Sequence, residues 1–147
     1  MANNVNITVI ERHGRKCASS GSPWEAKMGY SRAVRCGNYI AVTGTVGLNL
    51  DGTYPDSLEG QTRRSLEIIK AALEALGGKI EHVIRTRIYV MDATQWEQVA
   101  KVHGQLFGET RPATALVEIA KLIDDEALIE IEADAVIPQA QEEKTQG

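Results

Sequence analysis

Apolar and polar residues alternate most regularly near the end of the chain. Ile129, Ile131, Ala133, Ala135 and Ile137 fall at every second position, so on a pleated strand they share one face. Glu130, Glu132 and Asp134 share the other. The stretch 111–119, Arg-Pro-Ala-Thr-Ala-Leu-Val-Glu-Ile, predicts a companion strand. Three carboxylates in a row repel one another unless solvent, cations or a ligand meets them. Two readings of the row follow: a solvated face, which is where charge normally sits, or a face on which one acid looks into a cleft and moves protons.

Upstream, the same periodicities divide the chain. Residues 5–10 alternate as a strand, and 12–23 reads as a loop holding the basic cluster Arg12, His13, Arg15 and Lys16. No glycine-rich phosphate cradle accompanies that cluster, which favours a solvated loop over an anion site. Residues 31–36 and 39–43 flank Gly37-Asn38 as a hairpin, with Tyr30, Arg32 and Val34 sharing a face. A loop spans 47–55. The strongest helix runs over 57–76, capped by Asp56 with Glu59 as its capping-box partner, and stopped by Gly77-Gly78. Thr62, Leu66, Ile69, Leu73 and Leu76 form its single apolar stripe. Residues 83–91 predict a strand. A second helix starts at Thr94, boxed with Glu97, carries Trp96, Val99, His103 and Leu106 as its stripe, and ends at Gly108. A polar tail over 138–147 is expected to be disordered, leaving one domain over 1–137.

The order strand, hairpin, helix, strand, helix, strand, strand predicts an α+β fold: a mixed sheet with two one-striped helices on one face. A chain of 147 residues has nothing left to cover the other face except another copy of itself.

Composition narrows the chemistry. Apolar content of 43% and charged content of 24% are ordinary for a globular domain. A net charge of -4 and few aromatics argue against a nucleic-acid partner. Cys17 and Cys36 form neither a metal spacing nor a disulfide framework, and no signal peptide or membrane-length apolar run is visible, so a cytoplasmic setting is the expectation. His13, His82 and His103 are too scattered for a metal site, and no phosphate loop, nucleophile elbow or dinucleotide fingerprint occurs, so no metal and no cofactor are expected. His103, on an apolar stripe, reads more naturally as a core or interface residue than as a catalyst. What remains is acid–base chemistry by a carboxylate and hydroxyls.

The motif Pro-Ala-x-x-x-Val-Glu-Ile-Ala-Lys-Leu (Pro112 to Leu122), followed by Ile-Glu-Ile-Glu-Ala-x-Ala-Val, resembles the C-terminal signature of the RidA/YjgF family. Gly29-Tyr30, Gly37-Asn38 and Thr43-Gly44 fall where that family has Gly-Pro-Tyr, Gly-Asn and Ser-Gly, so the resemblance covers residues 23–137. It implies a chorismate-mutase-like α+β fold, a homotrimer, and a small-molecule cleft at each subunit interface. It also implies hydrolysis of reactive enamines and imines to a carbonyl compound and ammonia. The family's cleft residues map onto Tyr30, Gly44 and Glu130, with Glu130 as the group that positions or activates water.

The chain departs from the family in three places. The spacing from Glu118 to Glu130 is one residue longer, which the loop 123–127 absorbs. Leu116 stands where cysteine or a small group is common. Thr114 occupies the position of the arginine that grips a substrate carboxylate, and one hydroxyl cannot replace a guanidinium fork. Arg32, on the same face as Tyr30, is the candidate replacement cation, with Arg111 as its rival. Three functions stay open: an imine/enamine hydrolase with altered substrate choice, a non-catalytic binder of a small metabolite such as a 2-keto acid, and an endoribonuclease or translation inhibitor.

Overall fold

A computed structural model describes residues 5–139; of the tail 138–147 expected to be disordered, residues 140–147 lie outside the described ones. Seven strands form one sheet in the order β1-β2-β3-β4-β7-β5-β6. They are β1 Thr8–Arg12, β2 Arg15–Ser19, β3 Ala33–Cys36, β4 Tyr39–Val46, β5 Val83–Val90, β6 Ala113–Glu118 and β7 Ile129–Val136. The helices are α1 Pro23–Met28, α2 Leu58–Ala75 and α3 Trp96–Phe107. The mixed α+β architecture is the expected one.

The regular alternation at the end of the chain becomes an inner strand of the sheet. β7 lies antiparallel between β4 and β5, and Ile129, Ile131, Ala133 and Ala135 are all buried beneath the helices. Val42, Ile88 and Val90 join them on the same face, and α2 and α3 cover this face with Leu66, Ile69, Leu73, Val99 and Phe107. The predicted α2 stripe is fully buried, and Schellman-type bonds end the helix: Gly77 N–H donates to Glu74 O and Gly78 N–H to Leu73 O. β5 and β6 run parallel, with α3 as the crossover that parallel strands require.

Four expectations need correction. The fold has three α-helices, not two, because α1 was read as loop. It is too short to show a stripe, although Pro23 in its first turn and Gly29 (φ 74°) at its C-cap mark both ends. The basic stretch after Ile10 is not a loop but the turn and return strand of a hairpin. His13 (φ 50°) and Gly14 (φ 77°) make a two-residue turn with both φ positive, and β2 pairs with β1 and β3. Charged Arg15 and Lys16 at exposed positions hid that strand. Ser57, not Asp56, caps α2, its hydroxyl accepting from Gly60 N–H. Asp92, not Thr94, accepts from Thr94 N–H at the start of a short 3₁₀ turn, and α3 begins at Trp96, whose side chain is exposed.

Candidate functional site

The site begins with an irregularity in β4. Val42 pairs with Ala133 and Thr45 with Ile131, so Thr43 and Gly44 together oppose the single residue Glu132. This extra residue is a β-bulge, which bends a strand and re-aims its side chains. After it, Val46 faces Glu130 across the strands. Arg32 closes the irregularity: its Nη1 donates to Gly44 O (2.9 Å) and to Thr45 Oγ1 (3.3 Å).

Arg32 is itself buried, which a guanidinium tolerates only when paired. Glu25 of α1, equally buried, supplies the partner, with Oε2 3.6 Å from Nη2. Ser19 and Ser20 donate their hydroxyls to the Glu25 carboxylate at 2.7 and 2.6 Å. Nη2 also lies 3.4 Å from Tyr30 Oη, and the guanidinium carbon sits 5.5 Å from the Tyr30 ring centre. Both Nη atoms are therefore committed, while the buried Nε–H has no partner among the described residues.

The row of acids on β7 is resolved unequally. Arg87 Nη1 meets Asp134 at 3.2 Å and Glu132 at 3.6 Å, and Tyr89 Oη donates to Glu132 at 3.1 Å. Glu130, half-buried, is held above the ordinary carboxyl range, first by burial and then by the Glu132 charge, with Arg32 pulling the other way. Its carboxyl lies against Gly44: a Cβ built there would fall 2.8 Å from Glu130 Cδ.

Tyr30, Arg32, Gly44 and Glu130 line one cleft of about 450 Å³. Thr114 and Leu116 do not reach it within one chain. β6 is the edge strand, separated from β4 by β7 and β5, and both residues project to the helix side. Thr114 Oγ1 lies 2.8 Å from Thr86 Oγ1, which lies 2.9 Å from His103 Nε2. Leu116 packs on the core. Arg111 is exposed and donates to Gly108 O at the end of α3.

Periodicity did not single out several other residues at this cleft. Trp24 and Met28 come from α1, Tyr54 from the loop after β4, and Ile123 and Asp124 from the loop after β6. Tyr54 Oη donates to Asp124 Oδ2 at 3.1 Å across the two loops, and burial with this bond raises the phenol's pKa. Behind them, buried Gln61 of α2 ties the same loops together. Its Nε2 donates to Pro55 O (3.1 Å) and Glu126 O (3.0 Å), and its Oε1 accepts from Leu128 N–H (2.8 Å). Among the described residues no cluster of acids, histidines or cysteines is arranged to hold a metal, and no helix is long and apolar enough to cross a membrane.

A half-buried carboxyl thus lies over a glycine, at a bulge locked by an arginine, in a cleft of small-molecule size. Residues 21–137 match the family model described as Endoribonuclease L-PSP, and the chain belongs to that family, which the YjgF and RidA proteins share. It is similar in structure to a Mycobacterium tuberculosis member of the YjgF/YER057c/UK114 family, with a TM-score of 0.79 and 46% identity over 84% of this chain and 99% of the other. The YjgF gene product of Escherichia coli superposes with a TM-score of 0.69 at 35% identity, over 73% of this chain and 87% of that one. In sequence, the 2-iminobutanoate/2-iminopropanoate deaminase of E. coli K12 is 36% identical over 111 residues, 73% of this chain and 86% of the relative.

Proposed function

We propose that the cleft hydrolyses reactive enamine and imine metabolites to a carbonyl compound and ammonia, with Glu130 as its acid–base group. The observation that carries this reading is the unequal treatment of the β7 acids. Glu132 and Asp134 are paired by Arg87 and Tyr89, whereas Glu130 is turned into the cleft with its proton affinity raised. A carboxyl tuned towards neutrality suits both taking and giving a proton.

In the proposed sequence, water adds to the carbon of the protonated C=N group, which an enamine reaches by taking a proton at carbon. Glu130 takes one of the water's protons as it adds, forming a carbinolamine. Glu130 then gives that proton to nitrogen. As the C–N bond breaks, the carbinolamine hydroxyl passes its proton to Glu130, so that the carbonyl compound and ammonia leave, ammonia carrying the last proton away as ammonium. Tyr30 offers a hydroxyl near the reacting atoms. Arg32 contributes fixed positive charge rather than a free fork, since both Nη atoms are engaged. The deaminase relative supports the reaction class.

Thr114 and Leu116 join such a cleft only if the β6 edge of a second subunit supplies them. A homotrimer, with the helix-free sheet face covered by neighbours, provides that arrangement, and Thr114 in place of an arginine then alters substrate choice. Ammonia release from imines generated by an amino-acid oxidase, with and without the protein, tests the reaction. Rates that Glu130→Gln leaves unchanged would overturn it. Light scattering giving a monomer mass at micromolar concentration would remove the composite cleft.

A further inference from the structure

The floor and the rim of the cleft differ in chemistry. The floor is polar: Arg32 spends both Nη atoms on Gly44 O, Thr45 Oγ1, Glu25 and Tyr30 Oη, and only its buried Nε–H lacks a partner among the described residues. No guanidinium fork is left free there to clamp a carboxylate, and Thr114 carries none at the β6 edge. The rim is apolar and unusually open to solvent. Trp24 (43% exposed), Met28 (62%), Leu50 (61%) and Ile123 (69%) all line it. They come from three separate segments: α1, the loop after β4 and the loop after β6. Large apolar side chains exposed together around a concavity mark a surface that a ligand or partner covers.

We propose that this cleft selects imines and enamines bearing a bulky apolar group, of the branched-aliphatic or aromatic class, over those the size of 2-iminopropanoate. The inference rests on the hydrolytic reading above and names its substrate class. In the single chain the cleft offers about 450 Å³, in the range of sites that enclose drug-sized ligands, and the β6 edge of a second subunit would close it further. Binding strength lost with a bidentate carboxylate grip must come from elsewhere, and the indole of Trp24 with the aliphatic ends of Met28, Leu50 and Ile123 offers apolar contact for it. Such contacts discriminate by size, with one methylene changing kcat/KM by about tenfold or more. The polar groups at the bottom then hold the C=N end near Glu130 while the apolar group rests against the rim.

Two measurements on the full chain test this. Imines are generated by an amino-acid oxidase from alanine, leucine and phenylalanine, and the acceleration of ammonia release is compared. The leucine- and phenylalanine-derived imines should be accelerated at least about tenfold more than the alanine-derived one. The double substitution Trp24→Ala/Ile123→Ser should bring that ratio towards one, and Met28→Gln, a milder change, should lower it in the same direction. In parallel, calorimetry compares pyruvate with 4-methyl-2-oxopentanoate and phenylpyruvate, and the larger acids should bind more tightly by a similar factor. Hydrolysis with no size preference would overturn the substrate class while leaving the reaction standing. Tighter binding of the large keto acids without any hydrolysis would remove the reaction and keep the class. If neither assay shows a size preference and the double variant lowers the mass seen by light scattering, the rim is an interface between copies, and the proposal fails.

Discussion

The carboxyl of Glu130 lies directly over Gly44, so close that a single added methyl would meet Glu130 Cδ and Oε2 at 2.8 Å. The absence of a side chain on β4 is what lets an acid on β7 lean into the cleft. Gly44 is required here for close approach, not for an unusual backbone angle, since its φ is not positive.

Gly44→Ala should therefore push the flexible end of Glu130 aside without unfolding the sheet. The expected outcome is a fall in imine hydrolysis of about tenfold or more, in keeping with the cost of misplacing a catalytic group. The thermal midpoint should change little. Ammonia release and a circular-dichroism melt on the same sample check both halves.

Glu130→Gln should lower turnover by about a hundredfold or more, the usual scale of a lost acid–base group. Its effect on stability has the opposite sign. The folded-state pKa of Glu130 is raised by burial and by Glu132, so the native state gains from the protonated form at low pH and loses that gain as pH rises through the folded pKa. At neutral pH the variant should melt higher than the parent, and the two should converge in acid. Glu132→Gln, as control, should retain turnover and move the acidic limb of the pH–rate profile downward, because one of the charges raising Glu130 is gone.

His103 predicts a slope on the same acid side. Burial lowers its pKa, and its Nε2 rests against the Thr86 hydroxyl with its ring 4.6 Å from Phe107. A depressed histidine stabilises the native state above its unfolded pKa of about 6.5 and withdraws that stability as pH falls. Melts between pH 7 and 5 should show a shallower decline for His103→Gln than for the parent chain.

Gln61→Leu should be the costliest single change near the site. It keeps the bulk of a fully buried side chain but deserts Pro55 O, Glu126 O and Leu128 N–H. Unsatisfied buried groups cost about 1–3 kcal/mol each, and solvent entry at the loops reduces the sum, so about 3 kcal/mol is expected. Denaturant titration measures it. Hydrogen exchange should show both tied loops losing protection together.

How much of this was legible in the chain varies with how local each signal is. β7 announced itself because its alternation is uninterrupted, and α2 because Leu66, Ile69 and Leu73 recur at helical spacing. β2 did not, since Arg15 and Lys16 sit on its exposed positions and only Cys17 and Ala18 are buried. The pairing of Glu25 with Arg32 depends on α1 folding back across the sheet end, which no periodicity encodes. Tyr30 and Arg32 were expected on one face, and the structure brings them together. That Arg32 has no free fork follows only from the bulge carbonyl it holds. The separation of Thr114 from the cleft follows from strand order, because β6 pairs with β5 alone.

The extra residue in β4 also governs which kinds of inherited change the cleft can absorb. Substitutions along its walls can retune size and polarity one side chain at a time while the ladder stays put. Loss of one codon at Thr43 or Gly44 would leave a single residue opposite Glu132, with Thr45 still facing Ile131 and Val46 still facing Glu130. The bulge would be gone, and with it the strand geometry that presents the Gly44 carbonyl to Arg32 and bare backbone to the Glu130 carboxyl. A lineage carrying this cleft is therefore free to drift in composition but not in length at that one point.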